Sequence, residues 1–449
     1  MQNKKRFFHR LFQIFVSISF TINVFLFVSV IFNKDIRRNI LPINKITRKL
    51  KKFFSIEPAK YPPGFWKKIR SSPIQKVIYP GQKEKMRKLE SLGYLSGYRK
   101  APQQKNITIY KKKLTYNGLN LLCSGHGPEA ILMDMEGNQL HKWSYDVYSV
   151  WSDYKPPNGL NNHEMWRRVH LMNNGDLLAI FEGVGLIKID KNSNLIWGYQ
   201  CKAHHDLFVS KEKQIFVLTR SAKIYPKYNK IEPILEDFIT ILDQNGQEIN
   251  RISILKCIEN SDYMTILNRK EIKGDFLHTN TIELIDNRLA SKFKEIREGN
   301  VLLSIPRFDM VCVVDLEKEQ VVWAIFNLWG AQHHPTVLKN GNILIFDNVG
   351  AKDQSRVLEF NPLTQQICWK YTGTSKKPFF SLNCGSCQRL PNGNTLISET
   401  EGGRAFEVTP DKKIVWEFFN PFRAGKKKEL IAAVYEIIRI DPNFPLDWL

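Results

Sequence analysis

The amino-acid sequence predicts an all-β fold, a six-bladed β-propeller, preceded by one transmembrane helix. Three observations support the propeller: a unit of four short β-rich runs recurs six times, Asn-Gly and Gly-Asn turns separate the runs, and a tryptophan lies near the end of five units. A four-stranded sheet with two apolar faces must stack on neighbouring sheets, and units of about 40–50 residues are typical of propeller blades. With 43% hydrophobic residues, the 449-residue chain can bury such a core.

The first element is an uncharged stretch of 22 residues, 11–32, with basic residues on both sides. As a helix it is long enough to cross roughly 30 Å of hydrocarbon. It lacks the shorter apolar core and the small-residue cleavage site of a removable signal peptide. We therefore expect residues 1–33 to form a basic head and an uncleaved signal anchor of a single-pass membrane protein. Because both flanks are basic, charge alone leaves the orientation open.

Residues 34–113 are predicted to form a basic, proline-containing connector. Residues 1–113 hold 27 of the 66 Lys and Arg residues but only 4 of the 44 Asp and Glu residues, so this part accounts for the net charge of +22. Basic residues next to an apolar span suit anionic lipid headgroups or form a solvated spacer. The rest of the chain is nearly neutral, which argues against nucleic-acid binding.

Residues 114–422 contain the repeats and are predicted to be the propeller, with units that begin near residues 119, 168, 206, 279, 335 and 388. A large apolar side chain at a fixed place in a fixed period is expected to pack between blades. Tryptophans of this kind are Trp143, Trp197, Trp323, Trp369 and Trp416. Residues 423–449 have helical apolar spacing up to Ile440 and are expected to form a helical tail packed on the propeller.

Seven cysteines, an odd number spread over a large domain, do not describe a disulfide framework. Cys384 and Cys387 form a CxxC pair, but no second pair and no nearby histidine completes a zinc spacing. Strand cysteines or one local disulfide are therefore favoured over a redox motif.

Histidines recur at the start of a strand-like run in three successive units: His204 and His205, then His278, then His333 and His334. The innermost strand of a propeller blade lines the central channel, so these imidazoles are expected at one end of that channel. Strand alternation predicts that one member of each doublet faces the channel, and the sequence leaves open which one.

Two further polar residues belong to the unit of His278. Asn280 follows it directly, and Arg307 ends a later strand. Three histidines could bind zinc, but a nearby guanidinium repels a cation, so we predict neither a metal nor a cofactor. A guanidinium fork, an amide and a neutral imidazole suit an anion whose bond is exchanged.

These motifs resemble the bacterial arylsulfate sulfotransferases. The resemblance covers about residues 115–440 and rests on HHD at 204–206, HTN at 278–280, Arg307, and QHHPTVLKNGNILIFDN at 332–348. It implies a six-bladed propeller that moves a sulfuryl group from an aryl sulfate to a phenol, without a nucleotide, through a sulfohistidine intermediate. The implied partners are a small aromatic sulfate donor and a phenolic acceptor. Since the better-known members are secreted, the catalytic domain is expected on the periplasmic or extracytoplasmic side.

Carried over by position, the resemblance implies His333 as the nucleophile, with His334 as the alternative, and Thr400 as a candidate hydroxyl. The other catalytic residues that it implies bind oxygens or supply an imidazole: His278, Arg307, Asn280, His205 and His204.

Two other functions compete with this one. A membrane-tethered binding or scaffolding propeller is the main alternative, because propellers host many functions. A quinone-dependent dehydrogenase of similar blade architecture is weaker, because it needs a calcium site with acidic and amide ligands, and the sequence offers no such set. The natural donor, the acceptor and the oligomeric state are not predicted.

Overall fold

A computed structural model describes residue 86 and residues 99–156, 164–351 and 354–449. The chain divides into two compact units, Met1–Lys76 and Val77–Leu449, and every described residue lies in the second. The predicted membrane anchor at 11–32 lies outside the described residues. Within the described part, no helix is both long and apolar enough to cross a bilayer. The anchor therefore stays a prediction.

The described chain is almost entirely β-structure. Its strands are, in chain order, β1 (Arg99–Lys100), β2 (Asn106–Tyr110), β3 (Leu119–Ser124), β4 (Glu129–Met133), β5 (Gln139–Ser144), β6 (Arg168–Leu171), β7 (Leu177–Phe181), β8 (Gly185–Ile189), β9 (Leu195–Tyr199), β10 (Ala203–Val209), β11 (Ile215–Lys223), β12 (Ile234–Leu242), β13 (Glu248–Ser253), β14 (Thr281–Leu284), β15 (Val301–Ile305), β16 (Met310–Asp315), β17 (Gln320–Phe326), β18 (His333–Val337), β19 (Ile343–Ala351), β20 (Gln354–Phe360), β21 (Ile367–Thr372), β22 (Ser386–Arg389), β23 (Thr395–Glu399), β24 (Arg404–Val408), β25 (Ile414–Phe419), β26 (Arg423–Ala424), β27 (Leu430–Ile431) and β28 (Val434–Ile440). Short α-helices are α1 (Val147–Val150), α2 (Ile254–Glu259) and α3 (Asn287–Ala290), and the 3₁₀ turns are Met264–Asn268, Pro306–Phe308 and Thr400–Gly402.

Six antiparallel sheets form the blades, which confirms the six-bladed propeller. Blade 1 has the order β28-β3-β4-β5, and blades 2 to 5 are β6-β7-β8-β9, β10-β11-β12-β13, β14-β15-β16-β17 and β18-β19-β20-β21. Blade 6 is β22-β23-β24-β25, with β2 as a fifth, outer strand. A small sheet β1-β27-β26 accompanies them. Blade 1 thus combines the two ends of the domain, which closes the ring.

Turn chemistry explains why the strands end where they do. In blades 1 to 3, an aspartate follows the third strand: Asp134, Asp190 and Asp243. Asp190 Oδ1 accepts hydrogen bonds from the backbone N–H groups of Asn192 and Asn194, both at 2.8 Å. Asp134 and Asp243 accept the equivalent pairs. An aspartate that satisfies two successive turn donors favours a tight reversal at the same place in each repeat.

The repeated tryptophans join neighbouring blades, as the sequence predicts. Trp143 Nε1 donates to Gly175 O in blade 2 at 3.0 Å, and Trp416 Nε1 donates to Met135 O in blade 1 at 3.0 Å. Trp197 and Trp369 make the same kind of bond to Gln244 O and Pro410 O. The indole packs between blades while its N–H satisfies a turn carbonyl, which is a structural role.

The apolar core of the described residues lies between blades. It forms six clusters, each shared by two neighbouring blades. Most residues of the inner strands are consequently buried.

The C-terminal segment is not helical, so the prediction of a helical tail at 423–449 is wrong. Val434–Ile440 form β28, the innermost strand of blade 1, paired with β3. The apolar spacing fitted a helix because an inner strand is apolar on both faces and shows no alternation. Its β-branched residues were the signal for a strand. The propeller consequently spans 106–440, rather than the predicted 114–422.

Candidate active site

Both histidine doublets lie at irregularities of inner strands. His205 and His334 have left-handed backbone angles, with φ of 53° and 52°, and the register of β10 and β18 shifts there. An extra residue in one strand breaks the alternation of side chains. Both imidazoles of each doublet contact interior groups. The expectation that one member of each pair faces the channel stays a prediction. The two members of the second doublet reach different surroundings.

His333 is the first residue of β18 and is 7% exposed. Its Nδ1 lies 2.9 Å from Asn348 Oδ1 and 3.1 Å from Ala331 O. Burial lowers the pKa of the imidazole to about 3, the hydrogen bond with Asn348 acts in the opposite direction, and the charge of Arg167 lowers the pKa further. His333 is consequently neutral at physiological pH.

His334 points away from His333, toward blades 6 and 1. Its Nδ1 lies 3.1 Å from Cys387 O, and its Nε2 lies 3.5 Å from a carboxylate oxygen of Glu436. Glu436 also pairs with Arg168, whose Nε is 2.9 Å from Asp206 Oδ1. His334 thus belongs to a separate network of buried charges.

The first doublet lies close to His278. His204 Nδ1 is 2.9 Å from His205 Nδ1, and the ring of His205 is 4.9 Å from that of His278. Burial holds the pKa of His204 and of His205 well below the usual range. The side chain of His278 is 16% exposed, whereas that of His204 is fully buried. Among these three histidines, His278 therefore lies nearest to solvent.

A carboxylate orients His278. Its Nδ1 hydrogen-bonds Asp275 Oδ2 at 2.5 Å. Burial opposes ionisation of Asp275, but His278 more than offsets it and keeps the pKa of that carboxyl low. Asp237, 3.6 Å from His204 Nε2, has its pKa raised by burial and by the charge of Asp275. One ionised carboxylate and one that readily takes a proton thus lie behind the histidines.

Two buried arginines adjoin the same histidines. Arg167 immediately precedes β6 and Arg220 lies in β11, and each has a side-chain nitrogen 3.7 Å from an oxygen of Glu182. Arg167 also donates from Nη2 to Cys384 Sγ at 3.3 Å and lies over the ring of Tyr435. Its charge contributes to the lowered pKa of both His205 and His333, after burial. The charge of Arg167 thus acts on two imidazoles whose pKa is already held low by burial.

Asn280 and Arg307 are placed differently from each other. Asn280 is buried, and its Nδ2 donates to Gln332 O at 2.9 Å, directly before His333. Arg307 is exposed in the 3₁₀ turn after β15. Since β15 runs antiparallel to β14 with Ser304 opposite Thr281, Arg307 lies at the same face of blade 4 as Asn280. It is on the rim rather than among the buried histidines.

Thr400 occupies the corresponding turn of blade 6, after β23. It is fully buried, and its hydroxyl has no hydrogen-bond partner within the described part of the chain. A buried hydroxyl without a partner fits the hydroxyl implied for the last blade, and this assignment stays a prediction.

Comparison with known proteins gives the chain a family. The model of the arylsulfotransferase (ASST) family matches residues 168–421, which is more than half of the sequence. The chain belongs to the arylsulfotransferase family. Membership suggests an arylsulfotransferase enzyme, in agreement with the resemblance of the histidine motifs. No curated protein sequence matches the chain.

Several solved structures resemble the chain weakly. A protein of unknown function from Bacteroides caccae is 14% identical, with a TM-score of 0.46, over 71% of this chain and 100% of that one. The Dos1 propeller is 13% identical, with a TM-score of 0.39, over 71% and 75%. A streptogramin B lyase is 11% identical, with a TM-score of 0.38, over 74% and 97%. These likenesses say nothing about the reaction, and the number of blades follows from the strand order alone.

Three buried side chains form a set with metal-ligand geometry: Glu182, His204 and His205 have ligand atoms within 4.8 Å of one another. Arg167 and Arg220 each lie 3.7 Å from the Glu182 carboxylate. Two guanidinium groups beside the one anionic ligand oppose a metal cation by charge repulsion. The set is better suited to an anionic substrate, as the sequence analysis argued from a different arginine.

Arg167, Arg220 and Asn348 were not predicted as site residues from the sequence. A signal existed for Arg167, because it stands at the start of the inner strand of blade 2, the position that histidines occupy in later blades. No comparable signal marks Arg220, which lies on a second strand and reaches the site only through the packing of blade 3.

Proposed function

We propose that this arylsulfotransferase moves a sulfuryl group from an aryl sulfate to a phenolic acceptor through a sulfohistidine at His333, without a nucleotide cofactor. The observation that carries the proposal is a buried imidazole kept neutral beside a buried guanidinium. A neutral imidazole has a nucleophilic lone pair, and the positive charge of Arg167 attracts the sulfate that it attacks.

In the first half-reaction, a ring nitrogen of His333 attacks the sulfur of the donor. The N–S bond forms as the S–O bond to the aryl group breaks, and the phenolate leaves with the electron pair. His278 donates a proton to the departing oxygen, since it is more exposed than His204 and His205 and has Asp275 behind it. It then stays without that proton until the acceptor supplies one.

The second half-reaction is the reverse with another phenol. The acceptor gives its hydroxyl proton to His278 as its oxygen attacks sulfur, and the N–S bond breaks to restore neutral His333. Burial keeps the pKa of His204 and of His205 well below the usual range, so neither competes for the proton.

The remaining polar residues stabilise negative charge on the substrate or position other groups of the site. Arg167 stabilises the oxygens of the transferring group, and Arg307 on the rim attracts the donor sulfate. One N–H of the Asn280 amide donates to Gln332 O and holds the chain that enters β18. We assign its second N–H to a sulfuryl oxygen, the role expected from the sequence. The segment 11–32 would anchor the enzyme in a membrane, with the propeller on the extracytoplasmic side.

Incubation of the full 449-residue chain with phenyl sulfate is expected to add the mass of one sulfuryl group and to release phenol. Intact-mass spectrometry and phenol absorbance measure the two products. Peptide mapping under neutral conditions should locate the group on His333. A folded protein that forms no adduct and releases no phenol from several aryl sulfates would favour the binding or scaffolding propeller instead.

Adduct formation is expected to persist in mild acid. Because the pKa of His333 is lowered to about 3, the imidazole remains neutral at pH 5. We expect the single-turnover rate at pH 5 to stay within about threefold of the rate at pH 7, whereas an ordinary histidine would lose roughly 20- to 30-fold. Quenched-flow mass spectrometry measures the rate, with circular dichroism to confirm folding at each pH. A rate that halves near pH 6.5 would contradict a buried, neutral nucleophile.

A further inference from the structure

Asn348 lies behind His333 and is fully buried at the channel end of β19. Its Nδ2 donates to Ser381 O at 2.9 Å and to Cys384 O at 2.6 Å, in the loop that precedes β22. Both partners are carbonyl oxygens, which only accept. The amide orientation is therefore determined by its partners: the NH₂ group faces the loop, and Oδ1 faces His333.

The tautomer of His333 follows from this orientation. Its Nδ1 has two neighbours, Asn348 Oδ1 at 2.9 Å and Ala331 O at 3.1 Å. Neither oxygen carries a proton, so Nδ1 must donate. In a neutral imidazole the lone pair then belongs to Nε2.

We infer that Asn348 is a positioning residue, which holds His333 as the Nδ1–H tautomer and thereby makes Nε2 the atom that receives the sulfuryl group. The inference rests on the proposed function for the transfer itself. As Nε2 forms its bond to sulfur, positive charge develops on the ring, and the hydrogen bond from Nδ1 to Asn348 strengthens.

The same loop connects the nucleophile to the guanidinium. Cys384, whose carbonyl Asn348 binds, accepts a hydrogen bond at Sγ from Arg167 Nη2 at 3.3 Å. One short segment of blade 6 thus sets the position of both the group that attacks sulfur and the group proposed to hold its oxygens. The guanidinium can only donate, so the sulfur of Cys384 is the acceptor. Burial raises the pKa of this thiol.

The tautomer can be measured without any turnover. In the full chain labelled with ¹⁵N-histidine, the two ring nitrogens of His333 should give one protonated and one unprotonated resonance, with coupling patterns that assign the proton to Nδ1. Comparison with His333→Gln identifies the signals. A proton on Nε2 in the wild-type protein would overturn the inference, whatever the enzyme transfers.

Two variants separate the role toward His333 from the role toward the loop. Asn348→Asp keeps an acceptor for Nδ1–H but directs a carboxylate at the carbonyls of Ser381 and Cys384, whereas Asn348→Ala removes both interactions. If Asn348 acts through His333, the Asn348→Asp variant should retain more of the single-turnover rate than the Asn348→Ala variant. The rate of Asn348→Ala should fall roughly 10- to 100-fold. A carboxylate partner should also move the acid limb of the pH profile to higher pH. If Asn348 only anchors the loop, the Asn348→Asp variant should have the lower single-turnover rate of the two. The acid limb of its pH profile should then stay where it is in the wild-type protein.

Asn420→Ala provides the matched control. Asn420 is equally buried and likewise joins two chain segments, with Nδ2 donating to Ala432 O at 3.1 Å and Oδ1 accepting from Phe422 N at 3.1 Å, away from the histidines. The Asn420→Ala variant should have a lower melting temperature and keep the wild-type rate per folded molecule. If Asn420→Ala lost as much rate as Asn348→Ala, the inference would be overturned. If the wild-type protein carried the proton on Nδ1 of His333 but formed no adduct, only the proposed function would be contradicted.

Discussion

Replacement of His333 by alanine is expected to abolish the sulfuryl adduct and to lower phenol release by about 10³-fold or more. The imidazole forms the covalent bond to sulfur, so no neighbouring group replaces it. The assay is the one described for the wild-type chain, with intact-mass spectrometry for the adduct and a continuous phenol signal for turnover. His333 is the first residue of β18 and belongs to none of the described apolar clusters that join the blades, so the variant is expected to fold.

His334→Ala is the paired control, because His334 was the alternative nucleophile. Its imidazole contacts Cys387 O and lies near Glu436, in a network separate from His333. We expect this variant to retain the adduct, with a lower melting temperature because the buried Glu436 loses a neighbour. An adduct that survives in His333→Ala and disappears in His334→Ala would transfer the nucleophile role to His334.

Much of the fold follows from local sequence. Turn aspartates such as Asp190 and repeated tryptophans such as Trp143 act within one blade or across one blade boundary, so a fixed period reveals them. The closing strand β28 was mistaken for a helix because its role depends on a partner, β3, that is more than 300 residues away. Ring closure is a property of the whole domain, and no local pattern encodes it.

The candidate site, like the fold, could be predicted only where it depends on local sequence. The three histidine segments were predictable because each occupies one position of the repeat. The bulges at His205 and His334 were not, since histidine adopts a left-handed backbone more often than most residues but is far more often found without one. Asn348 acts only through its distance to His333 after the hairpin of blade 5 has formed. Arg307 was placed among the oxygen-binding residues, yet the guanidinium groups beside the buried histidines are those of Arg167 and Arg220.

Arg167→Gln is therefore expected to lower kcat/KM by about 10²- to 10³-fold, which corresponds to about 3–4 kcal/mol of transition-state stabilisation. The guanidinium is buried, and its charge acts directly on His333 and His205, so water cannot replace it. Arg167→Lys should recover only part of the loss, because an ammonium supplies charge without the planar fork. Steady-state kinetics with phenyl sulfate, together with the yield of the adduct, measure both effects.

Variants of two other arginines serve as controls for this prediction. Arg307→Gln on the exposed rim should raise KM by less than about tenfold and change kcat little, since a solvent-exposed charge steers the donor but is screened from the reacting atoms. Arg404→Gln removes a buried arginine of blade 6 that pairs with Glu399 and Glu417, away from the histidines, and should cost stability without changing kcat. If Arg307→Gln abolished transfer while Arg167→Gln behaved like Arg404→Gln, the donor would be held at the rim, and the buried Arg167 would serve only to neutralise Glu182.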